Sequence, residues 1–196
     1  MKFITAAVLA AFAAAPALAA PLVIDFETAP SFESIGEHYA DWGVSFTGDA
    51  LGLQNDFEQY FSNAPSPLGV MTPVGADATM NVAAGFVDQV SFSYSSSSLA
   101  VSAVNVWSGL NGTGELLASF NLVGNAQAGG CSDTAFCRFD TLTSTFAGTA
   151  HSLTFGNAAN LAVFDNISVT AVPEPASVLM MALGLAGLAA VSRRRG

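Results

Sequence analysis

The stretch that decides the fold class is Val90-Ser91-Phe92-Ser93-Tyr94-Ser95, in which apolar and small polar side chains alternate strictly. Successive side chains of a β-strand point to opposite faces, so this alternation predicts a half-buried strand with its rings on the covered face. The dipeptide Asn111-Gly112 separates two further runs and is typical of a tight hairpin turn. In both directions from the central stretch, more strands are predicted at residues 22–26, 43–47, 78–83, 99–107, 115–123, 151–155 and 161–170.

The number and spacing of these strands predict an all-β fold. About eight strands, separated by Gly, Ser, Asn and Pro, fall within about 150 residues, and no segment has a sustained helical period. This arrangement favours an antiparallel two-sheet β-sandwich of jelly-roll type. A solenoid is the main rival architecture, but the stretch contains no repeat of fixed period.

The N-terminal end of the chain carries a targeting segment. Residues 1–19 combine a cation at Lys2, an apolar run and the small-residue triplet Ala17-Leu18-Ala19. This pattern predicts a secretory signal peptide, cut after Ala19 by signal peptidase. A first membrane helix is the alternative, but the apolar run is shorter than the roughly 20 residues that such a helix needs.

A second hydrophobic segment lies at the C-terminal end. Residues 176–191 carry no charge, and as a transmembrane helix they would reach about 24 Å, a minimal span for a hydrocarbon core of about 30 Å. The arginines that follow stay on the cytoplasmic side, which places most of the protein outside the inner membrane. We therefore expect a signal peptide at 1–19, a β-sandwich domain at 20–171 and a C-terminal segment at 172–196.

This C-terminal segment combines the Val-Pro-Glu-Pro signature at 172–175, an Ala/Leu/Gly-rich span and the arginines at 193–195, and so resembles the PEP-CTERM sorting signal. The resemblance implies recognition by an exosortase, a membrane-embedded transpeptidase-like enzyme of Gram-negative bacteria that make exopolysaccharide, with removal of the tail near Pro-Glu-Pro. Tails of this type are also found on some ice-binding proteins. A permanent membrane anchor is the alternative. The residues that carry the resemblance are Val172, Pro173, Glu174, Pro175, Arg193, Arg194 and Arg195, around an Ala/Leu/Gly-rich span.

The domain between the two signals is strongly acidic. Residues 20–172 contain 14 Asp and Glu residues, whereas Arg138 is their only Lys or Arg. Such a surface repels nucleic-acid phosphates and anionic headgroups and attracts divalent cations. A nucleic acid is therefore excluded as a partner.

Cys131 and Cys137 are the only cysteines of the chain. In an exported protein, a pair this close predicts a disulfide that closes a short loop and stabilises the fold by about 2 kcal/mol. A redox or metal site would have a tighter Cys-x-x-Cys spacing or more ligands.

Asp165 is a candidate metal ligand because of its position in the last predicted strand. By strand parity, Asp165 interrupts the apolar face that Val163 and Ile167 share, and a buried carboxylate must be paired, hydrogen-bonded or metal-bound. Asp-Phe-Glu near the start of the domain and Phe-Asp-Asn-Ile-Ser-Val at its end resemble carbohydrate-binding-module jelly rolls, in which an early Glu and a late Asp help to hold a structural calcium. The resemblance implies Glu27 and Asp165 as the calcium ligands, with carbonyl oxygens completing the coordination. Two alternatives stay open: hydrogen bonds from backbone or Asn groups to Asp165, and an ion pair with Arg138.

Phe57, Tyr60 and Phe61 are the candidate ligand-binding residues. They belong to an aromatic and acidic stretch before the Pro65-Ser66-Pro67 loop. Exposed rings beside carboxylates and amides suit sugar binding, because rings stack on the apolar faces of pyranoses and polar groups take the hydroxyls. The alternative is a loop folded over the edge of the core with its rings inside.

Catalysis has little support in the sequence. His38 and His151 are the only histidines, and neither has a metal-ligand spacing or adjoins a nucleophile elbow. A carboxylate pair for glycoside hydrolysis is the remaining option, because the many acids of the domain offer many pairs.

We therefore expect an exported, non-enzymatic protein, delivered across the inner membrane to the cell surface or extracellular matrix, or held in the periplasm by its C-terminal helix. Its partners would be signal peptidase, an exosortase and, transiently, the inner membrane. Association with extracellular polysaccharide is what the two resemblances imply, and a structural calcium is the one cofactor considered. The alternatives are a carboxylate-dependent enzyme acting on polysaccharide and a purely structural or adhesion protein.

Overall fold

The computed structural model describes residues 21–56, 58–172 and 183–184. These residues form an all-β domain, as the alternating pattern predicts. Their nine strands are β1 (Pro21–Ile24), β2 (Val44–Phe46), β3 (Ala50–Gln54), β4 (Gly69–Pro73), β5 (Thr79–Ser96), β6 (Ala100–Trp107), β7 (Leu116–Leu122), β8 (Asp140–Thr154) and β9 (Ala162–Ala171).

The helical content of the described residues is limited to short segments. None of their helices is long and apolar enough to cross a bilayer. The predicted signal peptide at 1–19 and the predicted transmembrane helix at 176–191, apart from Leu183 and Gly184, lie outside the described residues. Four short 3₁₀ helices connect the strands within them, at Ala40–Trp42, Leu110–Gly112, Ala128–Gly130 and Gly156–Ala158.

The strands pair antiparallel in the order β3-β4-β9-β5-β8-β6-β7, with β1 beside β9 and β2 beside β5. Met71 of β4, near one end of this order, and Phe120 of β7, at the other end, belong to the same buried cluster. The pairing order therefore folds over on itself and encloses a core between two layers. This confirms the predicted antiparallel sandwich.

Two long strands join the layers, and the sequence pattern shows only parts of them. β5 has 18 residues and unites the predicted strands at 78–83 and 90–95, while β8 has 15 residues where only 151–155 was predicted. The register between β5 and β8 shifts near Gly85 and Asp88, whose φ angles are 83° and 67°. Such bulges interrupt the alternation and bend the strand, which hides its continuity from the sequence.

The predicted hairpin turn is present between β6 and β7. Asn111 and Gly112 have φ angles of 55° and 66°, and the N–H of Thr113 donates to the carbonyl of Leu110 at 3.2 Å. Two central residues with positive φ define the type I′ turn, whose twist matches that of the flanking strands.

Rings from three strands and from the residue that follows β8 fill the centre of the sandwich, which we call the main core. Phe92 of β5 is fully buried and packs edge to face against Phe120 of β7 and Phe164 of β9, with centroids 4.9 and 5.6 Å apart. Phe155, just after β8, meets Phe164 at 4.9 Å. The rings predicted on the covered face of the Val90-to-Ser95 stretch therefore form the centre of the core.

Strand parity correctly places Asp165 on one face with Val163, but the prediction that Ile167 shares that face is wrong. Ser91 and Ser93 of β5 lie opposite Ser168 and Asp165 of β9, so β9 has one extra residue, and Asn166 has a φ of 47°. This bulge reverses the alternation between Asp165 and Ile167. Asp165 therefore shares its face with Val163, whereas Ile167 lies in the main core.

Candidate functional site

The outer faces of β5 and β9 are also covered. Ser93 lies opposite Asp165, and Ser95 lies opposite Val163, so these four side chains share one face. All four are buried, so the prediction of a half-buried strand is wrong for this part of β5. We call this surface, together with the loops that cover it, the second face.

Asp165 forms hydrogen bonds to one of these loops, at Ser66. Its Oδ2 accepts the backbone N–H of Ser66 at 2.8 Å, and its Oδ1 accepts the Ser66 hydroxyl and the Asn166 N–H, both at 2.6 Å. Asp165 is fully buried, and this desolvation raises the pKa of its carboxyl to about 6, although the bonds from Ser66 and Asn166 oppose the shift. The charge of Glu27 raises the pKa further.

Glu27 holds the same loop from the other side. Its Oε1 accepts the backbone N–H groups of Leu68 and Gly69 at 2.8 and 3.1 Å. The two predicted calcium ligands thus lie at one loop, but N–H and O–H donors engage both oxygens of Asp165 and Oε1 of Glu27. No group of three or more His, Cys, Asp or Glu residues suited to a metal occurs in the described part of the chain.

The structure therefore favours the hydrogen-bond alternative for Asp165. The predicted alternative of an ion pair with Arg138 is wrong, because the Arg138 guanidinium lies 3.3 Å from the carboxylate of Asp140.

The predicted disulfide between Cys131 and Cys137 is present and closes a loop that meets the segment around Phe61. Phe61 and Phe136 form a parallel β-bridge, in which the Ser62 N–H donates to the Phe136 carbonyl at 3.0 Å. The Asn63 side-chain amide donates to the Cys137 carbonyl at 3.0 Å. The disulfide loop and the 60–67 loop are therefore held together.

Asn55 shapes the start of the 60–67 loop. Its side-chain amide donates to the Phe61 carbonyl at 2.8 Å, while its Oδ1 accepts the Tyr60 N–H at 2.8 Å. Both ends of the amide are thus engaged by backbone groups, as in the turns that Asn commonly organises.

Between these two loops lies a polar cavity of about 420 Å³, which we call the Asn55 groove. This volume lies within the range of small-ligand sites, roughly 300–1,000 Å³. Within the described residues, the side chains of Gln59 and Asp133 make no hydrogen bond, so their polar atoms are available to a ligand. The groove is lined by Asn55, Gln59, Phe61, Ser62, Asn63, Ala64, Pro67 and Asp133.

The structure separates the three predicted ligand-binding residues. Phe61 is only 1% exposed and packs with Leu53, Val70 and Val163, so its ring has no free face for a sugar and its prediction as a stacking residue is wrong. Tyr60 is half-buried beside the groove. Phe57 lies outside the described residues.

Phe32 is an exposed ring that the sequence analysis did not single out. Its side chain is 51% exposed and meets the Tyr60 ring edge to face at 5.3 Å. Its φ is 56°, a rare conformation for a bulky residue, and its N–H donates to the Gly52 carbonyl at 2.9 Å. A lone Phe between polar residues gives no periodic signal, so only the fold reveals the pair.

Two further cavities are smaller than the Asn55 groove, although each also has a polar side chain that no other described residue bonds, Gln127 in one and Glu37 in the other. One, of about 390 Å³, lies beside Ala126, Ala128 and Ala135, and its buried Asn125 already bonds Tyr94, Ser96 and Asp140. The other, of about 340 Å³, has Asn81 and Asn111 along its wall, but their amides bond each other. The Asn55 groove is therefore the candidate functional site.

Comparison with protein families identifies the C-terminal segment. Residues 171–195 match the PEP-CTERM protein-sorting motif. The chain carries a PEP-CTERM sorting signal. The resemblance seen at Val172 to Arg195 is thereby confirmed, and the motif implies an exosortase-sorted extracellular protein, membrane-anchored or at the cell surface. Of the predicted sorting residues, only Val172 lies within the described part of the chain.

Comparison with solved structures concerns the domain. The K2 cleaved adhesin domain of Lys-gingipain is 16% identical, with a TM-score of 0.50 over 77% of this chain and 99% of that chain. The C-terminal CBM6 of a laminarinase from Zobellia galactanivorans is 10% identical, with a TM-score of 0.42 over 77% and 99%. The xylan-binding domain CBM22-1 from Paenibacillus barcinonensis is 12% identical, with a TM-score of 0.43 over 78% and 94%. At these identities the likeness concerns the fold alone. No curated protein matches the chain.

Proposed function

We propose that the domain is a non-enzymatic module, delivered by exosortase sorting, that binds neutral extracellular polysaccharide in the Asn55 groove. The observation that carries the proposal is the set of polar side chains along this groove, of which Gln59 and Asp133 have polar atoms that no other described residue bonds. Amide and carboxylate oxygens accept hydrogen bonds from sugar hydroxyls, and amide N–H groups donate to sugar oxygens.

The backbone around the groove is fixed before a ligand arrives. Asn55 and Asn63 bond backbone carbonyls with their amides, Asp165 bonds Ser66, and the disulfide closes the opposite loop. A site that is already ordered loses less conformational entropy when it binds. This rigidity supports recognition of an extended polymer by a shallow site.

The charges favour a neutral ligand over an acidic one. Asp133 is a carboxylate in the groove, and Arg138, the only Lys or Arg in residues 20–172, pairs with Asp140. Uronate and sulfate groups would meet repulsion here, with no cation to offset it.

The groove also argues against the enzyme alternative. Glycoside hydrolysis commonly uses two carboxyl groups on either side of the scissile bond, about 5–9.5 Å apart. Among the described residues that line the groove, Asp133 is the single carboxylate. This arrangement supports binding rather than cleavage.

The exposed ring of Phe32 and the half-buried ring of Tyr60 extend the proposed site. Tyr60 lies between the groove residues Gln59 and Phe61, and Phe32 packs against it. Aromatic rings beside polar groups give a surface that is both apolar and directional, which suits the two kinds of surface of a pyranose.

Affinity electrophoresis of the purified protein tests the proposal. We expect slower migration in gels that contain a neutral glucan or xylan, and normal migration in gels that contain alginate. Gln59→Ala and Asp133→Ala should each weaken the retardation about tenfold, since each removes a hydrogen-bonding group.

Trp42→Ala is the matched control, because Trp42 is a 52% exposed aromatic residue outside the groove. Normal migration with every polysaccharide would contradict the proposal and favour a structural or adhesion protein. Release of reducing ends from a retarding glycan, lost in Asp133→Ala, would instead favour the enzyme alternative.

A further inference from the structure

The sorting motif begins inside the folded domain. The matched residues start at Ala171, which is the last residue of β9 and pairs with Phe86 of β5. The next residue, Val172, still donates its N–H to the Gly85 carbonyl at 3.0 Å. The first two residues of the motif are thus held by the sheet.

The sheet restrains this end of β9 on both sides. Thr170 pairs with Val87 of β5 and, across the other edge of β9, with Pro21 of β1. Pro21 is the second residue after the predicted signal-peptide cleavage. The start of the domain therefore covers the end of the strand that leads into the motif.

No room is left for β9 to continue along β5. β2 occupies the same edge from Val82 onward, where Val44 is its partner, and the Ala83 N–H donates to the Gly43 carbonyl at 3.1 Å. Pro173 also lacks the N–H that another ladder bond would need. The folded sheet and the Pro-Glu-Pro signature are therefore directly adjacent, with no linker between them.

The other side of the signature is equally short. Only residues 173–175 separate Val172 from the predicted transmembrane helix, and three residues span at most about 11 Å. A transpeptidase-like enzyme has to bind backbone on both sides of the bond that it cleaves. On the N-terminal side, that backbone is the end of β9.

We propose that the domain withholds its own sorting motif, and that the exosortase gains access only when residues 170–172 separate from β5 and β1. Strand ends open locally without global unfolding. When such opening is fast compared with cleavage, the processing rate follows the fraction of open molecules. The stability of this strand end then sets how quickly the tail is removed.

Two kinds of variant of the full chain, a linker insertion and a cross-strand disulfide, test this proposal in a host with an exosortase. Pulse-chase of the exported precursor measures the rate at which the tail is removed. Six Gly and Ser residues inserted between Val172 and Pro173 supply free backbone, so processing should be at least tenfold faster. The same six residues inserted between Gly129 and Gly130, in an exposed 3₁₀ helix, serve as the control and should leave the rate unchanged.

A cross-strand disulfide gives the opposite change. Val87 and Thr170 are direct partners, so Val87→Cys with Thr170→Cys pins the end of β9, and processing should be at least tenfold slower. Ser91→Cys with Ser168→Cys places the same type of bond further from the motif and should have no effect. Peptide mapping verifies each bond and the native one.

Equal rates for the unmodified chain, the linker insertion and the pinned strand would overturn the proposal. So would a tail that stays on in every variant, since the linker insertion should then be cleaved. Polysaccharide retardation is measured separately, and so failure here leaves the proposed function of the Asn55 groove intact.

Discussion

The main core and the second face are built in different ways on the same strands. In the main core, Phe92, Phe120 and Phe164 pack ring against ring between two layers. The second face has only a small apolar cluster around Phe61, and buried Asp165 bonds Ser66, 99 residues away in sequence. The comparison indicates that apolar packing supplies the stability of the domain, whereas side-chain hydrogen bonds to loops supply the shape of the groove.

The largest expected effect is on the free energy of unfolding, when one buried ring in each region is replaced by alanine. Phe92 and Phe61 are both fully buried rings. Phe92→Ala should lower the free energy of unfolding by about 4 kcal/mol, because the layers around it cannot collapse into the cavity. Phe61→Ala should cost less, about 3 kcal/mol, since loops on one side can relax, and it should also weaken polysaccharide binding. Urea denaturation measures both free energies.

Leu99→Ala is the control, because this side chain is exposed and its loss should change stability little. An equal or larger loss of unfolding free energy in Phe61→Ala would contradict this difference between the two regions. It would mean that the second face is as rigidly packed as the main core.

The next effect concerns the pH dependence of stability. The pKa of Asp165 is about 6 in the folded protein and near 3.8 in the unfolded chain. Between these values the folded state binds more protons, so stability falls as the pH rises from about 4 to 6 and then levels off. The contribution is on the order of 2–3 kcal/mol. Asp165→Asn should remove this part of the slope, as measured by urea denaturation at several pH values.

In Asp165→Asn, the new amide N–H group faces the donors of Ser66, so this variant should have a lower free energy of unfolding at every pH. The comparison therefore uses the slope of unfolding free energy against pH, not its absolute value. Asp88→Asn, at an exposed position, should keep the slope of the unmodified protein. An unchanged slope in Asp165→Asn would show that Asp165 is not the group that titrates.

The contrast between the regions also decides what the sequence can predict. The Asn111-Gly112 turn and the spacing of Cys131 and Cys137 depend on neighbours in sequence, and both predictions are confirmed. Alternation in the Val90-to-Ser95 stretch correctly predicts a strand with its rings in the core, but not the burial of Ser93 and Ser95. The bulge at Asn166 places Asp165 and Ile167 on opposite faces of β9, and nothing in the alternation pattern indicates this bulge.

Most of the groove depends on contacts between distant segments. β3 and β4 were not predicted as strands, and the 60–67 loop is shaped by Asn55, Asp165 and the disulfide loop together. The sequence indicated the aromatic stretch around Tyr60, but the inward position of Phe61 and the partnership of Tyr60 with Phe32 depend on the assembled fold.

The smallest expected effect is that of calcium. Because N–H and O–H donors engage Glu27 and Asp165, we expect the midpoint of thermal unfolding to be the same in calcium and in EDTA. Magnesium at equal ionic strength controls for the general screening of the acidic surface. A midpoint that rises in calcium alone would contradict this role of the two carboxylates and support the calcium alternative.

Hydrogen–deuterium exchange of the purified protein with and without a retarding neutral polysaccharide tests the central claim most directly. We expect slower exchange in residues 55–67 and in the disulfide loop at 131–137, with no change at the end of β9 or at its partner residues Gly85 and Phe86 of β5. Protection confined to other surfaces, or none at saturating polysaccharide, would contradict the assignment of the Asn55 groove as the binding site.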